Sequence, residues 1–104
     1  MKYKRIINST QEELERKYPW LKEARFEEAV IEDGGELIIW KYGIWEDGTW
    51  EYGLWKGGIW KDGIWEGGIW EGGKMWSNIK QGFVKVTQIA NSFIEANSFI
   101  EVKR

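Results

Sequence analysis

The chain has 104 residues, with 15 basic against 17 acidic side chains for a net charge of -2, and nine tryptophans but neither cysteine nor histidine. That length suits one small domain, which buries only about 60–65% of its unfolded surface, so its core must be dense or shared with a partner. The charge balance offers no basic field for nucleic acid, the lack of Cys excludes disulfides and thiolate chemistry, and the lack of His removes the commonest metal ligand and general base.

The opening stretch, MKYKRIINSTQEELERKYPW, is charged and lacks the apolar core of a signal peptide. No apolar run approaches the roughly 20 residues of a membrane span. The expectation is a cytoplasmic protein with no membrane partner. Residues 1–38 read as a non-repetitive N-terminal cap of strand, helix and hairpin. MKYKRIIN suits a short strand. Thr10 followed by Glu13 is a capping box that starts a helix. Glu12 and Glu13 suit the positive end of its dipole, and Arg16 and Lys17 the negative end. Pro19 stops it near Tyr18. FEEAVIEDGGELIIW then reads as a hairpin turning at Asp33-Gly34-Gly35.

Residues 39–73 repeat with a period of five: Trp40, Trp45, Trp50, Trp55, Trp60, Trp65 and Trp70 recur without a slip, and so do the glycines from Gly43 to Gly73. A helix is excluded as the repeating form, because each Gly costs about 1 kcal/mol and the period matches no helical face. A three-residue strand plus a two-residue turn fits, with Asp-Gly and Gly-Gly as turn dipeptides. Strand alternation sends Trp to one side, and the preceding Ile, Leu or Thr and the following Glu or Lys to the other. Residues 74–104 read as a C-terminal β cap. Trp76 falls one residue out of register, GFVKVTQI suits a strand, and NSFIEANSFIEVKR repeats N-S-F-I-E at a spacing of six.

Two architectures satisfy the pentads: a mainly β, short-strand β-solenoid with Trp inside, and an antiparallel β-meander with a ladder of indoles on one face. A four-sided coil of 20 residues would stack Lys41 on Lys61, Glu46 on Glu66 and Glu51 on Glu71. The meander would alternate Lys41, Glu51, Lys61 and Glu71 along one edge. Charge favours the meander, but an exposed pair is worth only about 0.2–1 kcal/mol. Burying a large aromatic is worth roughly 2–3 kcal/mol, and a narrow ribbon cannot cover its own indoles. Magnitudes therefore favour the solenoid, with Gly two residues before each Trp making the space.

The pentads resemble those of pentapeptide-repeat proteins, and Trp-Gly units of this kind resemble repeats in uncharacterised phage and bacterial proteins. That family places a small residue two positions before a large apolar centre. Here Gly43, Gly48, Gly53, Gly58, Gly63 and Gly68 take the small position and Trp45 to Trp70 the central one, where the family prefers Ala and Leu or Phe. The resemblance covers about a third of the chain and implies a four-sided right-handed β-solenoid. Some members inhibit topoisomerases through an acidic, DNA-like surface, whereas the outward rows here mix Lys and Glu.

The seven pentad tryptophans read as a core ladder in preference to a stacking platform. If they lie inside, Ile44, Leu54, Ile59, Ile64 and Ile69 form an outward apolar stripe, covered by the terminal segments or by a partner. Asp47 and Asp62 are one of many carboxylate pairs, and nothing in the repeats singles them out as an acid–base couple. The serines have no His for a triad, and the glycines are not a phosphate loop. No catalytic residue, cofactor or metal site is expected. The leading expectation is a non-catalytic protein that occupies a protein surface, such as a phage-encoded inhibitor of a host or defence enzyme, acting in the host cytosol. The alternatives are a structural or self-assembly module and carbohydrate binding through exposed Trp. A protein partner and homo-oligomerisation are expected, and nucleic acid is not.

Overall fold

Residues 2–89, 92–95 and 102 are described by the computed structural model; the second N-S-F-I-E copy, residues 97–101, lies outside them. The described chain is mainly β, with one α-helix and a mixed sheet. Strand β1 (Arg5–Ile7) leads to helix α1 (Gln11–Lys17). Thr10 caps the helix, its hydroxyl accepting from the Glu13 N–H at 3.2 Å. Pro19 opens a 3-10 turn, Pro19–Glu23, where its missing N–H costs nothing. Strands β2 (Arg25–Asp33) and β3 (Ile38–Asp47) then form an antiparallel hairpin.

The pentads supply five two-residue strands: β4 (Thr49–Trp50), β5 (Leu54–Trp55), β6 (Ile59–Trp60), β7 (Ile64–Trp65) and β8 (Ile69–Trp70). Strands β9 (Lys74–Ser77), β10 (Gly82–Ile89) and β11 (Ser92–Glu95) complete the described chain. Each pentad strand pairs in parallel with the strand fifteen residues away, Trp over Trp: Trp40↔Trp55, Trp55↔Trp70, Trp45↔Trp60 and Trp50↔Trp65. The antiparallel zigzag therefore does not occur between pentad strands. The spacing is also fifteen where a four-sided coil needs twenty. Three ladders result. The first holds 39–40, 54–55 and 69–70; the second 44–45, 59–60 and 74–75; the third 49–50 and 64–65. Lys56 thus follows Lys41, Lys61 follows Glu46 and Glu66 follows Glu51, so neither charge pattern expected from the sequence is the one formed.

Indole packing accounts for three sides. Consecutive tryptophans meet edge to face, with centroids 5.6–5.9 Å apart and planes at 70–81°. Tryptophans fifteen apart lie parallel within 4–10°, at 4.8–5.5 Å. The second distance is set by the strand spacing of about 4.8 Å. Both arrangements suit the ring quadrupole. Three indoles per layer fill the section between the ladders, and all seven are 0–7% exposed.

The glycines answer a different need from the one expected. A Cβ on Gly63 would lie 2.2 Å from the Gly48 carbonyl oxygen, and one on Gly68 2.2 Å from that of Gly53, with φ of 116° and 106°. The corners thus stack backbone on backbone in a left-handed conformation, which an L side chain disfavours. They do not make space for the Trp two residues on.

The ends are closed by non-repeating residues. Below, Trp20 packs edge-on against Trp50 at 5.1 Å, Phe26 against Trp40 at 5.9 Å, and β2 runs antiparallel along β3. Above, Met75 continues the second ladder beyond Trp60 and is fully buried, so that ladder runs one unit past the strict period. Phe93 packs on both Trp65 and Trp70 at 5.4 Å. The Gln88 side chain stands in for a strand, accepting from the Trp70 N–H at 2.8 Å and donating to the Gly68 carbonyl at 2.9 Å.

Candidate functional site

The apolar row before each Trp is divided among three faces. Leu54 and Ile69 share the first ladder with Ile39; Ile44 and Ile59 share the second; Ile64 stands on the third above Thr49. Ile64 and Ile69 are 60% and 56% exposed, whereas Ile44, Leu54 and Ile59 are half-buried. A single continuous stripe through all five therefore does not form, because a fifteen-residue repeat sends successive pentads to successive faces.

The first ladder extends to five paired strands, β1, β2, β3, β5 and β8, and so does the second. Antiparallel neighbours extend the second at both ends, so that five strands pair across it: β2, β3, β6, β9 and β10. One outward row reads Glu27, Ile44, Ile59, Lys74, Lys85 in register order. The row two residues along reads Glu46, Lys61, Trp76, Phe83, the last two paired directly. Trp76 and Phe83 meet edge to face at 5.2 Å. The Trp76 indole N–H donates to Asn78 Oδ1 at 2.8 Å, which fixes the ring. An open groove of about 450 Å³ is lined by Lys61, Asp62, Trp76, Asn78 and Phe83. A second, of about 300 Å³, is lined by Tyr42, Gly58, Ile59, Gly73, Lys74 and Lys85.

Among the described residues, Glu27, Glu46, Lys61, Lys74 and Lys85 make no ion pair, whereas Lys4, Arg16, Lys17, Arg25, Lys41 and Lys80 each do. The lower part of the face is therefore an unpartnered anionic end and the upper part an unpartnered cationic one, with Ile44 and Ile59 between.

Asp47 and Asp62 follow each other at one corner. Each carboxylate accepts from the N–H of the next glycine at 2.8 Å, and Asp47 also pairs with Arg25 at 3.3 Å. Both brace the turns. No group of three or more Cys, Asp or Glu capable of holding a metal occurs among the described residues.

Sequence reasoning passed over Trp76, Phe83, Lys74 and Lys85. The signal for Trp76 was present: it stands one residue beyond the inward register, and strand alternation turns such a residue outward. Strand β10 is the GFVKVTQI segment read from the sequence, but its pairing with β9, which brings Phe83 and Lys85 alongside, was not read there. No described helix is long and apolar enough to cross a membrane. No family model, curated protein or solved structure matches the chain.

Proposed function

We propose that this chain is a non-catalytic protein-binding module, built as a three-sided β-solenoid of fifteen-residue coils that is similar to, but narrower than, the pentapeptide-repeat type, and working in a cytosol. The core spends its aromatic residues on rigidity, and the outer faces are left for recognition. The observation that carries this reading is the five-strand face, on which half-buried Ile44 and Ile59 lie between unpartnered charges of opposite sign and the Trp76–Phe83 pair stands at the cationic end. Flat apolar centres with aromatic anchors and a charged rim are the anatomy of protein-binding surfaces. Sugar binding through the pentad indoles loses its platform, because those rings are 0–7% exposed.

Two substitutions separate the faces. Ile59→Lys alters the second ladder and Ile64→Lys the third, and both change outward side chains only. Affinity capture from a cell lysate with wild type and each variant, followed by mass spectrometry, is the test. A stoichiometric protein retained by wild type and Ile64→Lys but lost by Ile59→Lys supports the reading. Retention that ignores both substitutions refutes the assignment to this face.

A further inference from the structure

We infer that the occupant of the five-strand face is a second copy of this chain, related by a two-fold axis that runs along the strands and passes between Ile44 and Ile59. The inference rests on reading this face as a protein-binding surface, and it names the partner. The order of side chains across the sheet points to this axis. Going up the ladder, one row reads Glu27, Ile44, Ile59, Lys74, and the row beside it places Glu46 level with Ile44 and Lys61 level with Ile59. Both rows therefore change from anionic to cationic about the same midpoint. An axis along the strands at that midpoint lays β2, β3, β6 and β9 over themselves in reverse and leaves β10, with Phe83 and Lys85, outside the overlap. Ile44 of one copy then meets Ile59 of the other, Glu46 meets Lys61, and Glu27 meets Lys74. An isologous contact of this kind uses every pair twice.

Alternative alignments are worse. An axis along the stacking direction would set Glu on Glu and Lys on Lys. End-to-end stacking through the second ladder is closed, because β2 and β10 cover its two ends in antiparallel register. The four residues named as charge partners have no ion pair elsewhere among the described residues, so meeting a second copy breaks nothing already made. A polyanion such as single-stranded nucleic acid fits less well: it would be drawn to Lys61, Lys74 and Lys85 but repelled by Glu27, Glu46 and the net charge of -2. The four overlapping strands at about 4.8 Å make a contact only about 14 Å tall. That places the contact among small, weak interfaces, and its strength should depend on concentration and salt.

The experiment is sedimentation velocity of the purified chain over a concentration series, at low and high salt, with a charge swap. Wild type is expected to pass from monomer to dimer, with the dimer weakened by salt. Glu46→Lys and Lys61→Glu should each weaken dimerisation about tenfold, because each turns two attractive contacts into repulsive ones. The double variant Glu46→Lys/Lys61→Glu should return to within about threefold of wild type. Near-UV circular dichroism, read on each variant, separates a lost interface from a lost fold. A double variant no better than the singles overturns the inference, as does a dimer indifferent to all three. A chain that stays monomeric throughout also overturns it. If Ile59→Lys still abolishes capture of another protein from lysate in that case, the protein-binding reading survives with a different partner. If instead wild type binds a short oligodeoxynucleotide and Lys61→Glu does not, the occupant is nucleic acid and both readings fall.

Discussion

At the scale of single residues, the pentads divide their labour between indole and glycine. Burying each indole is worth roughly 2–3 kcal/mol, and its ring contacts add about 0.5–1.5 kcal/mol per pair. The opposing term is its N–H. Trp40, Trp45, Trp50, Trp55, Trp65 and Trp70 have no conventional acceptor for this group, at a cost of about 1–3 kcal/mol each. Burial and ring contacts together outweigh it, and the edge-to-face contacts offer these donors a neighbouring π face as a weak substitute. Glycine makes the arrangement possible at the corners. Gly68→Ala would force a Cβ to 2.2 Å from the Gly53 oxygen at a φ of 106°. We expect a loss of about 3 kcal/mol or more, seen as a fall in Tm of roughly 12 °C or more. Gly82→Ala is the control: a Cβ there meets nothing within 4 Å, and Tm should change by no more than the equivalent of about 0.5 kcal/mol. Equal effects of the two substitutions would show that the corner geometry is not what selects glycine.

At the scale of elements, the ends were legible where their signals are local. Thr10 and Glu13 mark the start of α1, Pro19 its end, and Asp33-Gly34-Gly35 the hairpin; each structure is built from neighbours in sequence. Asp33 also ties the helix to that hairpin. It accepts from Lys17 Nζ at 2.8 Å, the Gly35 N–H at 2.9 Å and the Tyr18 hydroxyl at 3.2 Å. Burial alone would raise its pKa, but these donors outweigh burial and hold the carboxyl below its ordinary value of 3.8. A depressed carboxylate stabilises the fold above its unfolded pKa and loses that contribution as pH falls through the folded one. Asp33→Asn should therefore cost about 1 kcal/mol at neutral pH, after allowing for solvent screening. The difference in Tm between wild type and variant should close as pH falls from roughly 5 to 2. A gap that stays constant over that range would mean the charge of Asp33 is irrelevant. Strand β10 was legible as GFVKVTQI, but its pairing with β9 was not, since that is reached by a turn in which Ser77 Oγ accepts from the Lys80 N–H at 3.1 Å.

At the scale of the molecule, 40 Å long and 22 by 17 Å across, the distribution of tryptophan is the property most open to measurement. Seven of the nine indoles are buried, and Trp20 and Trp76 are half-buried. Emission should be blue-shifted and mostly protected from acrylamide, and Trp76→Phe should remove a large part of the quenchable component. Quenching of most of the emission in the folded monomer would contradict the buried ladder. The sequence by itself determined the unit, a short strand with Trp to one side and a glycine corner, because alternation along a strand and the tolerance of glycine for positive φ are local properties. It also determined the N-terminal helix and hairpin, for the same reason. Only the tertiary structure decided how many units make one layer. A period of five is equally compatible with fifteen or twenty residues per layer, and the choice falls to how three indoles close on one another edge to face. That choice in turn decided which isoleucines share a face. It also set Glu27, Glu46, Lys61 and Lys74 in one ordered surface, although they are spread over 48 positions of sequence.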